Sequence, residues 1–315
     1  MQTILGSGGA IGIALAKELI NYTPHLRLVS RNPQRVNEQD EILAADLTEK
    51  EQVSKAVSGS SVVYLVAGLQ YSTRVWKRDW PVIMQNVIEA CLERRSKLVF
   101  FDNVYLYGPG EIPRMTEQSP VAPGSRKGRV RAILIQMIFE AVKNKGLAAM
   151  VARSADFYGP KAKTGILNLS VIDNFNKGKK AFWQSDASKI HSFTYVPDAA
   201  KAVALLGNTE DAYNQAWHLP TSPERWTGKD FINEIASQMK VKPRYYILSK
   251  TMITILGIFS PIIKELKEMQ YQNNQDYFFD SSKFEKRFSL IPTTYRQGIS
   301  ETIKDMPSAA TIHAK

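Results

Sequence analysis

The chain has one cysteine, Cys91, among 315 residues, so it can close no intrachain disulfide and build no multi-cysteine metal site. That thiol ends the apolar pattern VIMQNVIEACL, where a buried core position is expected rather than a nucleophile. Histidine is scarce too: His25, His191, His218 and His313 are too dispersed for ligand spacing, and no metal is expected. No GxSxG elbow occurs, which argues against a serine hydrolase. There is no fixed-period repeat and no low-complexity segment. Lys and Arg total 41 against 30 acids, a formal charge of +11, yet no run of five cations marks a nucleic-acid arm. The excess is a basic surface suited to small anionic partners. The start, MQTILGSGG, has neither a basic n-region nor a long apolar h-region. The most apolar late stretch, TMITILGIFSPII, is too short and too broken by Gly257 and Pro261 to span a bilayer. The expectation is a soluble cytoplasmic protein with no nucleic-acid and no membrane partner.

What is abundant points elsewhere. With 44% hydrophobic and 10% aromatic residues the chain can bury a large core. Short apolar runs (QTIL, LRLVS, EILAA, SVVYLVA, KLVFFD, AAMVARS) alternate with helical segments such as IGIALAKELINY and KEQVSKAV. Continuous apolar strands separated by helices predict an α/β fold of Rossmann type, a doubly wound parallel sheet covered on both faces. After about residue 155 the alternation loosens and aromatics gather: Phe157, Tyr158, Phe182, Trp183, Tyr195, Trp217 and Trp226. This predicts a dinucleotide-binding domain over 1–155, completed by segments within 191–220, and a smaller C-terminal lobe over 156–315 that covers a substrate.

In such sheets ligands bind beyond the carboxyl ends of the strands. The first strand runs into GSGGAIG, with Gly6, Gly9 and Gly12 three apart, enclosing Ala10 and Ile11 where a helix opens. Glycine is needed where backbone turns sharply and passes close to a pyrophosphate, whose charge the helix N-terminus stabilises. The second strand ends in VSRNPQR. A carboxylate there would accept from a ribose 2′-hydroxyl, whereas a cation accommodates a 2′-phosphate. The sequence offers Ser30, Arg31 and Arg35, with no acid before Glu38, so NADP is expected rather than NAD. After the third strand, Asp46 could accept from an adenine amino group or cap the next helix.

Together with ADL (Ala45–Leu47), LVAG ending in Ala67 and Gly68, VYLYG (Val104–Gly108), FTYVPDAAKAV and WHLPTSPERWTGKDFINEIASQM, these motifs occur in the order of the extended short-chain dehydrogenase/reductases. The chain resembles that family, the NAD-dependent epimerases and dehydratases, over nearly its whole length. The resemblance implies an oxidoreductase, epimerase or dehydratase acting on a carbonyl-bearing small molecule. It adds Leu47, Ala67 and Gly68 to the cofactor contacts, and Tyr71, Asp156, Tyr158 and His191 to the substrate contacts.

One departure stands out. The family relies on Tyr-x-x-x-Lys, in which the phenol shuttles a proton and the lysine holds the nicotinamide ribose. Matching the following helix puts Ser125 at the tyrosine and Arg129 at the lysine, and Asn103 at the loop serine. Serine cannot replace a phenol, and an arginine does not give up its proton. Tyr105 or Asp102, just after the fifth strand, is the expected proton carrier. Arg129 is the expected ribose anchor, and Lys127 or Arg126 would meet a substrate anion or a carboxylate such as Glu117. Tyr107 is expected to pack against its turn. The alternative is a cofactor-binding regulator that senses NADP redox state without chemistry. The helical segments Val75–Arg95 and Arg131–Lys145 are a candidate homodimer face.

Overall fold

QTIL, LRLVS and KLVFFD become strands because runs of this kind, apolar on both faces, are stable only where helices cover both sides of a sheet. The computed structural model describes residues 1–306. The chain runs β1 (Gln2–Leu5), α1 (Ala10–Leu19), β2 (Leu26–Ser30), β3 (Glu41–Ala44), α2 (Lys50–Val57), β4 (Val62–Leu65), α3 (Thr73–Arg94), β5 (Lys97–Asp102), α4 (Arg126–Lys145) and β6 (Ala149–Arg153). It continues through β7 (Asp156–Tyr158), α5 (Asp173–Asn176), β8 (Ala181–Gln184), β9 (Phe193–Tyr195), α6 (Val196–Gly207) and β10 (Ala216–His218). It then runs through α7 (Gly228–Gln238), β11 (Tyr245–Leu248), α8 (Lys250–Phe259), α9 (Pro261–Leu266), α10 (Ser282–Phe288) and α11 (Tyr295–Lys304).

The chain divides into two compact units. The first comprises Met1–Gly108, Glu117–Ser154 and Ala199–Leu219, the second Pro109–Thr116, Ala155–Asp198 and the chain from Pro220 onward. The first unit holds a seven-stranded sheet in the order β10-β6-β5-β4-β1-β2-β3. Its strands pair in parallel, as in the ladders β1 with β2, β1 with β4, and β5 with β6. The fold is therefore the doubly wound α/β type. The chain leaves β1 toward β2 and β3, then returns to β1's other side to place β4. This reversal opens a crevice at the carboxyl ends of β1 and β4, where the glycine loop lies.

Local chemistry sets the helix ends. Ser125 caps α4, its Oγ accepting from the Gly128 N–H at 3.0 Å, and Gly146 closes that helix at φ 71°. Thr227 and Asp230 close a reciprocal capping box on α7. The second unit has its own core, in which Tyr158, Trp183, Phe193, Phe231 and Tyr295 pack together. Two short parallel ladders, β7 with β9 and β8 with β11, lie in the same unit.

Among the described residues no helix is long and apolar enough to cross a membrane, and no cluster of three or more His, Cys, Asp or Glu side chains could hold a metal. His313 lies outside the described residues.

Candidate active site

The glycines of GSGGAIG differ in what their missing side chains permit. Gly6 has φ +97°, and a Cβ on it would lie 2.3 Å from the Ala67 Cα, so the loop after β1 and the strand end after β4 touch backbone to backbone. A Cβ on Gly12 would lie 2.8 Å from the Ser7 Cα, which lets α1 start directly under the loop. Gly9 is different: it caps α1 in extended conformation, and a Cβ there would meet nothing within 4 Å. The first helical hydrogen bond runs from the Ile13 N–H to the Gly9 carbonyl, so the N–H groups of Ala10, Ile11 and Gly12 precede it. An open cradle edged by early helix N–H groups is what a pyrophosphate requires, and these residues fit a dinucleotide. Gly68 likewise has open space where a Cβ would stand.

At the end of β2, Ser30 is half-buried and Arg31 exposed. Arg35 donates to the Glu38 carbonyl at 3.4 Å, closing its own loop. Asp46 Oδ1 accepts from the Thr48 N–H and hydroxyl at 2.9 and 2.7 Å. Those hydrogen bonds hold its carboxyl below the usual carboxylate range, with a smaller pull from Arg31. Asp46 shapes the turn before α2, whose N-cap is Glu49. Leu47 is buried, and its carbonyl accepts from Asn86.

Beyond β4 and β5 the structure gathers aromatics around cations. The Tyr105 ring stacks on Trp76 at 6.0 Å and 18°, and Tyr71 meets the same indole edge-on. The Tyr71 and Tyr105 hydroxyls are 3.4 Å apart. Lys127, in the first turn of α4, is fully buried, with its Nζ 4.5 Å from the centre of the Tyr71 ring. The ammonium therefore lies over the face of the Tyr71 ring, whose hydroxyl meets that of Tyr105. Asn103 Oδ1 accepts from the Tyr105 N–H at 3.0 Å and fixes this turn. A Cβ on Gly128 would lie 2.2 Å from the Tyr105 carbonyl oxygen, so α4 reaches the loop only with glycine there.

Two expectations for this unit are corrected, the roles of Arg129 and Asp102. Arg129, the expected ribose anchor, is exposed; the cations that α4 turns inward are Lys127 and Arg131. Ser125 is spent as a helix cap. Asp102, expected as a proton carrier, is buried beneath the site between Arg131 at 3.7 Å and Arg153 at 3.3 Å. Arg153 also donates to the Tyr107 hydroxyl at 2.7 Å, which lies 2.7 Å from His218 Nε2. Burial opposes the charge on Arg153, but Tyr107 and Asp102 outweigh it and raise its pKa. Burial lowers that of Arg131, whose guanidinium lies 4.4 Å from the Trp80 ring and 4.8 Å from the Trp76 ring. Tyr107 is buried in this network, its phenol pushed up by desolvation against the opposing pull of Arg153.

In the second unit Asp156 and His191 come together. His191 Nε2 lies 3.0 Å from Asp156 Oδ2, and the imidazole stacks on Tyr277 at 4.2 Å and 3°. Tyr158, expected to meet substrate, is instead a core residue. It is fully buried, its hydroxyl has no hydrogen-bond partner among the described residues, and a Cβ on Gly298 would lie 2.2 Å from that oxygen. Desolvation drives its phenol far above the ordinary range.

The residues that reading the sequence missed are Trp76, Arg131 and Arg153. Helical period could have found Arg131: Lys127, Val130, Arg131, Leu134 and Ile138 form the buried stripe of α4.

The doubly wound sheet, the glycine loop and the polar groups at the strand ends define a dinucleotide-binding enzyme fold. The profile of the NAD dependent epimerase/dehydratase family matches residues 3–217, and the chain belongs to that family. A 3beta-hydroxysteroid-dehydrogenase/decarboxylase, isoform 2, from Arabidopsis thaliana is 28% identical over 290 residues, 83% of this chain and 51% of the relative. The chain thus spans about half the length of that relative. A UDP-N-acetyl-alpha-D-glucosaminuronate decarboxylase from Bacillus cytotoxicus is 23% identical over 220 residues, 63% of this chain and 68% of the relative. The solved structure of the Thermus thermophilus UDP-glucose 4-epimerase in complex with NAD shares the fold, with a TM-score of 0.76 over 97% of this chain and 98% of that one, at 18% identity.

Proposed function

We propose that the chain is an NADP(H)-dependent enzyme that moves hydride to or from a carbonyl-bearing small molecule, as a reductase, epimerase or dehydratase does. The nicotinamide, when bound, supplies or accepts the hydride. Tyr105 exchanges the proton with the substrate oxygen, Tyr71 relays it, and Lys127 steadies the phenolate charge. The observation that carries this reading is the buried Lys127 beside two phenols at the carboxyl ends of β4 and β5. It rebuilds, from other positions, the phenol and ammonium pair that Ser125 and Arg129 cannot supply. Gly6, Gly9, Gly12, Ala67 and Gly68 hold the dinucleotide. The preference for a 2′-phosphate rests on exposed Arg31 in a strand end without acids. The reading includes a cytoplasmic setting and a homodimer formed through α3 and α4, where Val82 and Ile133 are exposed.

A second reading concerns substrates that carry a carboxylate. Oxidising a hydroxyl β to a carboxylate gives a β-keto acid that loses carbon dioxide, and both curated relatives named above are decarboxylases by name. The cationic first turn of α4, Arg126 to Arg129, suits such a substrate. Hydride exchange between labelled NADPH and a metabolite extract, read by mass spectrometry with and without carbon dioxide capture, tests both readings. Tyr105→Phe and Lys127→Met should each lower exchange by at least about a hundredfold with nucleotide binding retained. Exchange at the wild-type rate in both variants would remove the assignment.

A further inference from the structure

Two arginines lie buried against Asp102, and they are not equally satisfied. Arg153 donates from Nε to Asp102 Oδ2 at 3.3 Å and from Nη1 to the Tyr107 hydroxyl at 2.7 Å. Arg131, on α4, is only 6% exposed, yet its Nε and Nη1 are enclosed without a hydrogen-bond partner among the described residues. Asp102 Oδ1, 3.7 Å from a guanidinium nitrogen of Arg131, lacks a partner as well. Nη2 is the guanidinium nitrogen that is not enclosed, so the group opens there. Interior polar groups are nearly always paired, because each one left unmade costs its desolvation in full. A guanidinium kept here only for the fold would close on its carboxylate as Arg153 does.

The surroundings select the acceptor that would complete it. The Arg131 Cζ lies 4.8 Å from the Trp76 ring, 4.4 Å from the Trp80 ring and 5.5 Å from the Phe100 ring, so the cation rests on aromatic faces rather than on oxygens. Within the trio of Arg131, Arg153 and Asp102, two guanidiniums face one carboxylate, and one positive charge is in excess. That excess suits a monoanion. Flat aromatic walls admit a planar group, and a carboxylate is a planar monoanion whose two oxygens match guanidinium donors. Trp76 touches both the Arg131 guanidinium and the Tyr105 ring, so an anion on Arg131 would stand near the phenol proposed to exchange the proton.

We propose that Arg131 receives the carboxylate of the substrate and so decides which carbonyl compounds the site accepts. This assignment rests on the reading above of a substrate that carries a carboxylate. It narrows the recognition of that group to one side chain, a turn beyond the cationic start of α4.

Trp76 and Trp80 can report binding directly, because the guanidinium lies on their rings. The test is a tryptophan fluorescence titration of the full chain, without nucleotide and at constant ionic strength. Acetate and formate should give a saturable change, whereas neutral acetamide, chloride and phosphate should not. Arg131→Met should weaken acetate binding at least about tenfold. Arg131→Lys, which keeps the charge but not the planar fork and guards against loss of the fold in the first variant, should weaken it at least about fivefold. Lys143→Met, exposed in the last turn of the same helix, should leave it unchanged. No saturable change with either carboxylate, binding undiminished in the Arg131 variants, or chloride, phosphate or acetamide acting as strongly as acetate would overturn the assignment. Hydride exchange in the wild type without carboxylate binding would remove this receptor and leave the enzymatic reading, and carboxylate binding without exchange would do the reverse.

Discussion

Replacing two glycines of the same loop by alanine should have opposite consequences. At Gly6 the φ of +97° is strained for any L side chain, costing about 1–3 kcal/mol, and the new methyl meets the Ala67 backbone at 2.3 Å. Overpacking against a backbone that cannot retreat adds about 1–3 kcal/mol. Gly6→Ala should therefore lose about 2–6 kcal/mol, a large share of the roughly 5–15 kcal/mol that holds a domain folded. At Gly9, φ −86° and ψ 167° suit alanine, and no atom lies within 4 Å of its methyl. Gly9→Ala should cost less than about 1 kcal/mol in stability, the difference between glycine and alanine at an N-cap. Its methyl would occupy the cradle above the start of α1, and dinucleotide affinity should fall at least about tenfold, or about 1.4 kcal/mol. Urea unfolding followed by tryptophan fluorescence reads the first quantity, and nucleotide fluorescence titration the second. A Gly6→Ala protein as stable as wild type would refute the packing argument. Wild-type affinity in Gly9→Ala would refute the placement of the pyrophosphate.

Three further predictions concern buried polar groups. Asp102→Asn leaves two buried guanidiniums without their shared carboxylate, so unfolding in urea should show a loss of about 3–5 kcal/mol; near-wild-type stability would contradict the network. Tyr158→Phe removes a buried hydroxyl without a partner among the described residues, so stability should stay level or rise by about 1 kcal/mol with turnover unchanged, whereas lost turnover would restore it as a substrate contact. Burial pushes the Cys91 thiol from its ordinary 9.0 up to about 12. Between those values the unfolded chain has released a proton that the folded chain keeps, so stability is full below about pH 9 and falls as pH rises toward 12. Cys91→Ala should flatten that slope in alkaline urea titrations, and an unchanged slope would mean that the thiol contributes nothing.

The sheet was largely legible because each strand is a short apolar run with turn residues at both ends. QTIL is β1, KLVFFD is β5, and AAMVARS contains β6. The short ladders of the second unit were not, since three- and four-residue strands with partners tens of residues away leave no periodicity to read. The role of Asp102 was hidden for a related reason. It becomes Arg153's neighbour only through the register of β5 on β6, which places the two side by side. For α4, motif matching and helical period gave different answers. The motif selected Ser125 and Arg129, four apart, whereas the apolar stripe Val130, Leu134 and Ile138 turns Lys127 and Arg131, also four apart, to the inside. The burial pattern agrees with the period.

The central claim, a nicotinamide dinucleotide seated on the glycine loop with its 2′-phosphate near Arg31, is tested most directly by titrating the protein with NADPH and NADH at moderate salt. The account predicts tighter binding of NADPH, a preference that Arg31→Ala removes while leaving NADH unaffected. No binding of either nucleotide, or equal binding that Arg31→Ala does not alter, would contradict it.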